Sequence, residues 1–207
     1  MKIVMIACML FLVISCGKHN TIKVTAKNAA TGEGFADLGF RIYRIRPYTT
    51  PTGQIQDLVY EGNFNNNGEA VVDLRIRKNR TYKITTISPG PMCYINNTSY
   101  TFGSNHSNFK FDFLFAPCAY LKLKIENVNC EGGDLMVLYQ GNQIGSFNFN
   151  QPWEHNGCAY WESNGYSDIP MGEQYYRWEV TRNGVTQEFH DTIYLEAGEY
   201  KFYEINY

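Results

Sequence analysis

A chain of 207 residues with 18 Lys plus Arg, 20 Asp plus Glu and a formal net charge of −2 lacks the basic excess of a nucleic-acid-binding protein. It carries no like-charged tail, which also excludes a polybasic supplement to any membrane contact. With 44% hydrophobic and 15% aromatic residues, it has the material for one large core or two small ones.

The chain opens with Lys2 as the sole charge before an apolar run from Ile3 to Ile14. That pattern predicts an export signal over residues 1–15, since a membrane span needs roughly 20 apolar residues. Val13-Ile14-Ser15-Cys16 resembles a bacterial lipobox, with valine where leucine is commonest. The resemblance implies cleavage before Cys16, a diacylglyceryl thioether on its sulfur and an acylated amine, followed by a tether over 16–20. Two or more acyl chains anchor firmly, at about 0.8 kcal/mol per buried CH₂. The implied partner is the lipid bilayer through acylated Cys16, and the implied place is the bacterial cell envelope. No Asp follows Cys16, so the outer membrane is expected over the inner; periplasmic and surface faces both stay open. An ordinary secretory signal with Cys16 incidental is the alternative.

From Thr21 onward the pattern is that of strands, with no helical apolar period. Ile22, Val24 and Ala26 alternate with polar residues, as do Ala70, Val72, Leu74 and Ile76. Phe109, Phe111, Phe113 and Phe115 form the clearest core stripe, and Leu121, Leu123 and Ile125 repeat it. A period of two is what half-buried strands require. Thr31-Gly32-Glu33-Gly34, Asn65-Asn66-Asn67-Gly68 and Ala197-Gly198-Glu199 read as turns, the asparagine one as a hairpin turn. Asn183-Gly184 between two strand-like runs predicts a tight hairpin, with Tyr176, Trp178 and Val180 on one face of its first arm. Residues 88–107 and 150–172 read as strand-poor excursions.

"TIKVTAKNAATGEGFADLGFRIYRI" and "EGNFNNNGEAVVDLRIRKNRTYKITTI" are similar to transthyretin-like or carboxypeptidase-regulatory-like β-sandwich modules. That resemblance, with the lipobox, implies a Bacteroidetes-type lipoprotein whose modules brace, space or adhere rather than catalyse. The expected fold is all-β: tandem small antiparallel β-sandwiches, Greek-key-like. Ala116-Pro117-Cys118 is the expected boundary, giving a transthyretin-like sandwich over 21–117 and a second over 118–207. A single sandwich is the alternative.

Cys93, Cys118, Cys130 and Cys158 form an even set in a chain expected to be exported, so two disulfides are expected. Sequence neighbours close the shorter loops, which favours Cys93–Cys118 and Cys130–Cys158, with free buried thiols as the alternative. His155 and Cys158 have a ligand-like spacing but lack the second short-spaced pair of a structural zinc site. Asn63, Asn65 and Asn67 put neutral amides where a calcium loop needs carboxylates, so no metal is expected there. No nucleophile elbow, H-E-x-x-H or phosphate loop occurs, and His190-Asp191-Thr192 would alternate across a strand. The expected protein is therefore not an enzyme, needs no cofactor and binds no nucleic acid. Aromatics crowd the region 147–178; Trp153, Tyr160 and Trp161 are the candidate ligand-binding residues because they fall in an expected loop. The expected role is a structural or protein-binding envelope accessory with a protein partner, and the alternative is a glycan-binding protein using those rings.

Overall fold

The computed structural model describes residues 18–50, 53–106, 108–130, 132–145 and 152–207. The signal-like segment, Cys16, Phe147 and Phe149 lie outside them. The strands run β1 (Lys18–Asn28), β2 (Gly39–Thr50), β3 (Gly53–Asn63), β4 (Glu69–Ile76), β5 (Thr81–Thr86), β6 (Met92–Ile95), β7 (Ser99–Gly103) and β8 (Lys110–Glu126). They continue with β9 (Leu135–Asn142), β10 (Trp153–Asn156), β11 (Tyr160–Glu162), β12 (Ser167–Pro170), β13 (Gly172–Arg182), β14 (Val185–Leu195) and β15 (Tyr200–Asn206). The supposed excursions at 88–107 and 150–172 are thus partly strand: β6, β7, β10, β11 and β12 are three to five residues each, too short for alternation to show.

The chain forms two units that interleave in sequence. Of the described residues, the first comprises those up to Ala26, Gly34–Ile87 and Asn97–Phe113; the second, Lys27–Glu33, Ser88–Asn96 and Leu114–Tyr207. Ala116-Pro117-Cys118 lies inside the 17-residue strand β8 rather than in a linker.

In the first unit β4 pairs antiparallel with β1, with Ile22 opposite Val72, and a second sheet has the order β3-β2-β5-β7. Ile22, Val24, Ala26, Val72 and Ile76 are buried from one sheet, and Phe40, Ile42, Tyr82, Ile84 and Phe102 from the other. Aromatic rings dominate this core: Phe40 meets Phe64 at 5.0 Å between centroids, Phe102 meets Phe111 at 5.0 Å and Tyr100 meets Phe113 edge-on at 5.1 Å. Such rings each contribute roughly 1.5–3 kcal/mol by burial, and edge-to-face geometry adds to it. The asparagine turn is not a hairpin turn: β3 pairs with β2 and β4 with β1, so it carries the chain from one sheet to the other. Asn65 caps it, its Oδ1 accepting from the Asn67 and Glu69 N–H groups. Gly68 beside it has φ 67°, a left-handed conformation, and packs under the Ala26 carbonyl.

In the second unit the later part of β8 pairs antiparallel with β6, β11 and β12, and parallel with β15. The parallel pair departs from the all-antiparallel expectation. After the β13–β14 hairpin the chain turns at Gly198 (φ 76°) and crosses back to β8, where the Tyr120 N–H donates to the Glu199 carbonyl at 2.8 Å. The other sheet has the order β10-β9-β13-β14. Between them Leu121, Leu123, Ile125, Met136, Leu138, Tyr176, Val180, Leu195 and Ile205 form the core, with Trp161, Trp178 and Tyr203 against it. The Asn183-Gly184 turn has positive φ at both residues and pairs Arg182 with Val185, the geometry of a two-residue primed turn. The disulfide Cys93–Cys118 joins β6 to β8, and Cys130–Cys158 joins the segment after β8 to that before β11.

Candidate functional site: an outer aromatic face

On β8 of the second unit the odd-numbered residues point into the core, so Tyr120, Lys122, Lys124 and Glu126 point outward. The parallel register places Tyr200 beside Tyr120, Phe202 beside Lys122 and Glu204 beside Lys124. On the other flank Tyr160 lies opposite Glu126 and Glu162 opposite Lys124. The Tyr120 and Tyr200 rings stack at 4.3 Å and 13°, and Tyr166 meets Tyr200 edge-on at 5.1 Å. Lys122 Nζ lies 5.7 Å from the centre of the Phe202 ring, and Lys124 Nζ 5.8 Å from that of Tyr160. Tyr200 is 64% exposed and Tyr160 60%, and Tyr166 and Phe202 are exposed as well. One outward sheet face therefore carries a row of open rings, whereas outward strand positions are ordinarily polar.

The charges among these rings pair with one another. Lys124 donates to Glu126 at 2.8 Å and to Glu204 at 2.9 Å; these two bonds, Glu126's first, raise its pKa. Lys122 is paired with Glu162, which raises the lysine and, with the Tyr160 hydroxyl, lowers the carboxyl. The Tyr160 hydroxyl is raised chiefly by its hydrogen bond to Glu162. Mutual pairing of these lysines and glutamates leaves little net field. Recognition here would come from ring contact and shape rather than from long-range attraction.

The three rings singled out from sequence do not make one platform. Trp153 begins β10 and Tyr160 and Trp161 begin β11, so none sits in the expected loop. Trp161 turns inward against the core and is met edge-on by the exposed Trp153 at 5.4 Å. Tyr160, adjacent on the strand, points the other way and belongs to the outer face. Tyr120, Tyr166, Tyr200 and Phe202 were not singled out; the available signal was aromatics at both parities of "YKFYEINY".

His190, Asp191 and Thr192 do not converge on one side of their strand. His190 bonds Glu188 on its own side of β14 at 2.7 Å, while Asp191 accepts from the Tyr203 hydroxyl on the opposite side. Among the described residues there is no group of three or more His, Cys, Asp or Glu able to hold a metal ion.

No protein-family model matches the chain, and no curated protein does. Solved structures that it is similar to include the Bacillus anthracis TIE protein, at 15% identity over 91% of this chain and 34% of that one, TM-score 0.35. They also include the shaft pilin SpaA from Lactobacillus rhamnosus GG, at 9% identity over 91% and 97%, TM-score 0.37. A third is the major pilin from Streptococcus pyogenes, at 9% identity over 92% and 97%, TM-score 0.32. The chain spans about a third of the TIE protein's length. Identities and TM-scores this low transfer no activity or assembly to this chain. The three are proteins of Gram-positive bacteria, not the Bacteroidetes-type lipoproteins or transthyretin-like modules that the sequence resemblances implied. The expected outer-membrane location, acyl anchor and bilayer partner through Cys16, which lies outside the described residues, find no counterpart in these matches and are not carried forward.

Proposed function

We infer that the chain is a non-catalytic structural or protein-binding protein that makes contact through the outer aromatic face of its second unit. The observation that carries this reading is the set Tyr160, Tyr200 and Phe202, exposed on one outward sheet face, with the exposed Tyr166 edge-on against Tyr200. Aromatic side chains with few rotatable bonds lose little entropy on contact and dominate the energetics of protein interfaces. The test compares proteins retained by the full chain and by a Tyr200→Ser/Phe202→Ser variant, both recovered from native cells. A stoichiometric partner held by the parent and lost by the variant is expected. The same partners on both would reject the face as the contact surface.

A second reading, glycan binding, draws on the exposed Trp153 seated edge-on against Trp161 and on the open Tyr160 ring. Glycan-array retention that falls at least tenfold in Trp153→Ala would favour it. Retention by neither parent nor variant would dispose of it.

A further inference from the structure

β14 is an edge strand, with β13 on one side and nothing on the other among the described residues. It pairs with β13 without a bulge over eleven residues, from Arg182 opposite Val185 to Gly172 opposite Leu195. Edge strands are ordinarily blunted by proline, lysine, a bulge or brevity, because a free row of backbone groups recruits other strands. β14 reads VTQEFHDTIYL, with no proline, lysine or bulge, and its two carboxylates, Glu188 and Asp191, are engaged by Arg177, His190 and the Tyr203 hydroxyl.

The two-residue turn fixes which backbone groups are free. Val185 closes the hairpin as a hydrogen-bonded pair with Arg182, so residues of odd number bond β13 and those of even number face away. Toward one end the outward row is already closed: the Thr192 N–H donates to Asp191 Oδ1 at 2.7 Å, and Lys201 Nζ donates to the Tyr194 carbonyl at 3.0 Å. Thr186, Glu188 and His190 keep an outward N–H and C=O each.

Beneath this free stretch the sandwich is open. Val185, Gln187 and Phe189, on the core-facing side of β14, line a cavity of 140 Å³ with Val180, Arg182 and Tyr207. Val185 is 63% exposed and Phe189 39%, so among the described residues these apolar side chains on the core-facing side of the strand are incompletely covered. The Tyr207 side chain is buried and its hydroxyl has no hydrogen-bond partner. Cavities of about 150 Å³ accommodate a benzene ring, which here corresponds to one aliphatic or small aromatic side chain.

We propose that β14 accepts an extended peptide segment of a partner protein as an added strand, paired with Thr186–His190 and placing an apolar side chain in the cavity under Val185 and Phe189. Two features select a peptide over other occupants. Free N–H and C=O groups on alternate residues of an edge are matched by another backbone at strand spacing, which a sugar or small ligand does not reproduce. The cavity lies on the core-facing side of the same stretch, where every second side chain of that backbone would point. This surface is separate from the outer aromatic face, and either can fail without the other.

The test uses the full chain and a capped eight-residue peptide alternating leucine and threonine, with a lysine pair at one end for solubility. Amide hydrogen exchange is the readout. Protection of the Thr186, Glu188 and His190 amides is expected to rise at least tenfold at saturating peptide. Glu188→Pro, which removes one outward N–H at an edge where proline is tolerated, should weaken binding at least tenfold with unchanged circular dichroism. A peptide N-methylated at alternate residues should not bind. No added protection at millimolar peptide, equal binding of the N-methylated peptide, or protection that rises with protein concentration alone (a second copy as the occupant) would each overturn the proposal.

Discussion

Replacing Asp134 by alanine removes the centre of a polar knot in the second unit. Its carboxylate is 1% exposed, and Oδ2 accepts from Arg182 Nε at 3.0 Å and from Asn127 Nδ2 at 2.8 Å. Arg182 Nη2 donates to Asn127 Oδ1 at 2.9 Å, Asn127 Nδ2 also reaches the Gly157 carbonyl at 3.0 Å, and the Gly157 N–H returns to the Asp134 carbonyl at 2.7 Å. The knot joins the segment after β8, the approach to β9, the end of β13 and the turn before β11. Breaking a buried ion pair by removing one partner costs roughly 3–5 kcal/mol. Arg182 is 30% exposed and regains water, which places Asp134→Ala at the lower end, about 3 kcal/mol. Asp134→Asn keeps an oxygen for Asn127 or Arg182 and should cost about half as much. The assay is urea unfolding followed by tryptophan fluorescence; Trp153, Trp161 and Trp178 all lie in the second unit, so the signal reports that unit alone. A loss below about 1 kcal/mol for Asp134→Ala, or a larger loss for Asp134→Asn, would refute the account of the knot.

Four further outcomes are expected. Gly68→Ala should cost at least about 2 kcal/mol, because its φ is 67° and an added Cβ would overlap the Ala26 carbonyl oxygen; unchanged exchange of the β1 and β4 amides would contradict this. Phe113→Ala should cost about 3–5 kcal/mol by opening a cavity against Tyr100, read by hydrogen exchange in the first unit, and a loss under 1.5 would show that the site collapses freely. Cys93→Ser/Cys118→Ser frees a loop of sequence separation 25 and should lower stability by about 3.5 kcal/mol in urea, against an expected null effect if the unfolded chain stays compact. Burial raises the phenols of Tyr176 and Tyr203, helped at Tyr203 by the hydrogen bond to Asp191. A phenol raised on folding adds stability that is full below the ordinary value near 10 and is lost as pH climbs above it. Fluorescence-monitored stability should therefore fall between about pH 9.5 and 11.5, with a shallower slope in Tyr203→Phe; a flat profile would count against it.

Much of the fold is legible because its cores obey a period of two. Phe111, Phe113 and Phe115 of the phenylalanine stripe and the Leu121–Ile125 stripe both keep odd residues inward, and β8 carries them as one strand. Pro117 between them reads as a boundary because proline lacks an N–H, yet a strand position that needs only a carbonyl tolerates it: the Pro117 oxygen accepts from the Met171 N–H at 2.9 Å. Parity carried across Ala116-Pro117-Cys118 was the available signal that the strand does not stop. The parallel pairing of β15 left no local trace, since side chains alternate alike in parallel and antiparallel strands and the partner is chosen by a distant crossover.

The candidate sites were less legible for a different physical reason: alternation reports which way a side chain points, not whether anything covers it. Tyr200 and Phe202 share β15 with inward Tyr203 and Ile205, so "YKFYEI" is apolar at both parities and reads like a strand buried on two faces. Only the absence, among the described residues, of a layer over Tyr120 and Tyr200 converts that surplus into an exposed surface. Val185 and Phe189 present the converse, because they occupy the core-facing parity and still meet solvent where the opposite sheet gives out. Local sequence treats the four residues alike, and their difference lies in long-range topology. A Tyr200 contact would use a finished face through its ring, whereas a β14 contact would complete an unfinished sheet through its backbone. Replacing the Tyr200 and Phe202 rings should therefore abolish the first and spare the second, and Glu188→Pro should do the reverse.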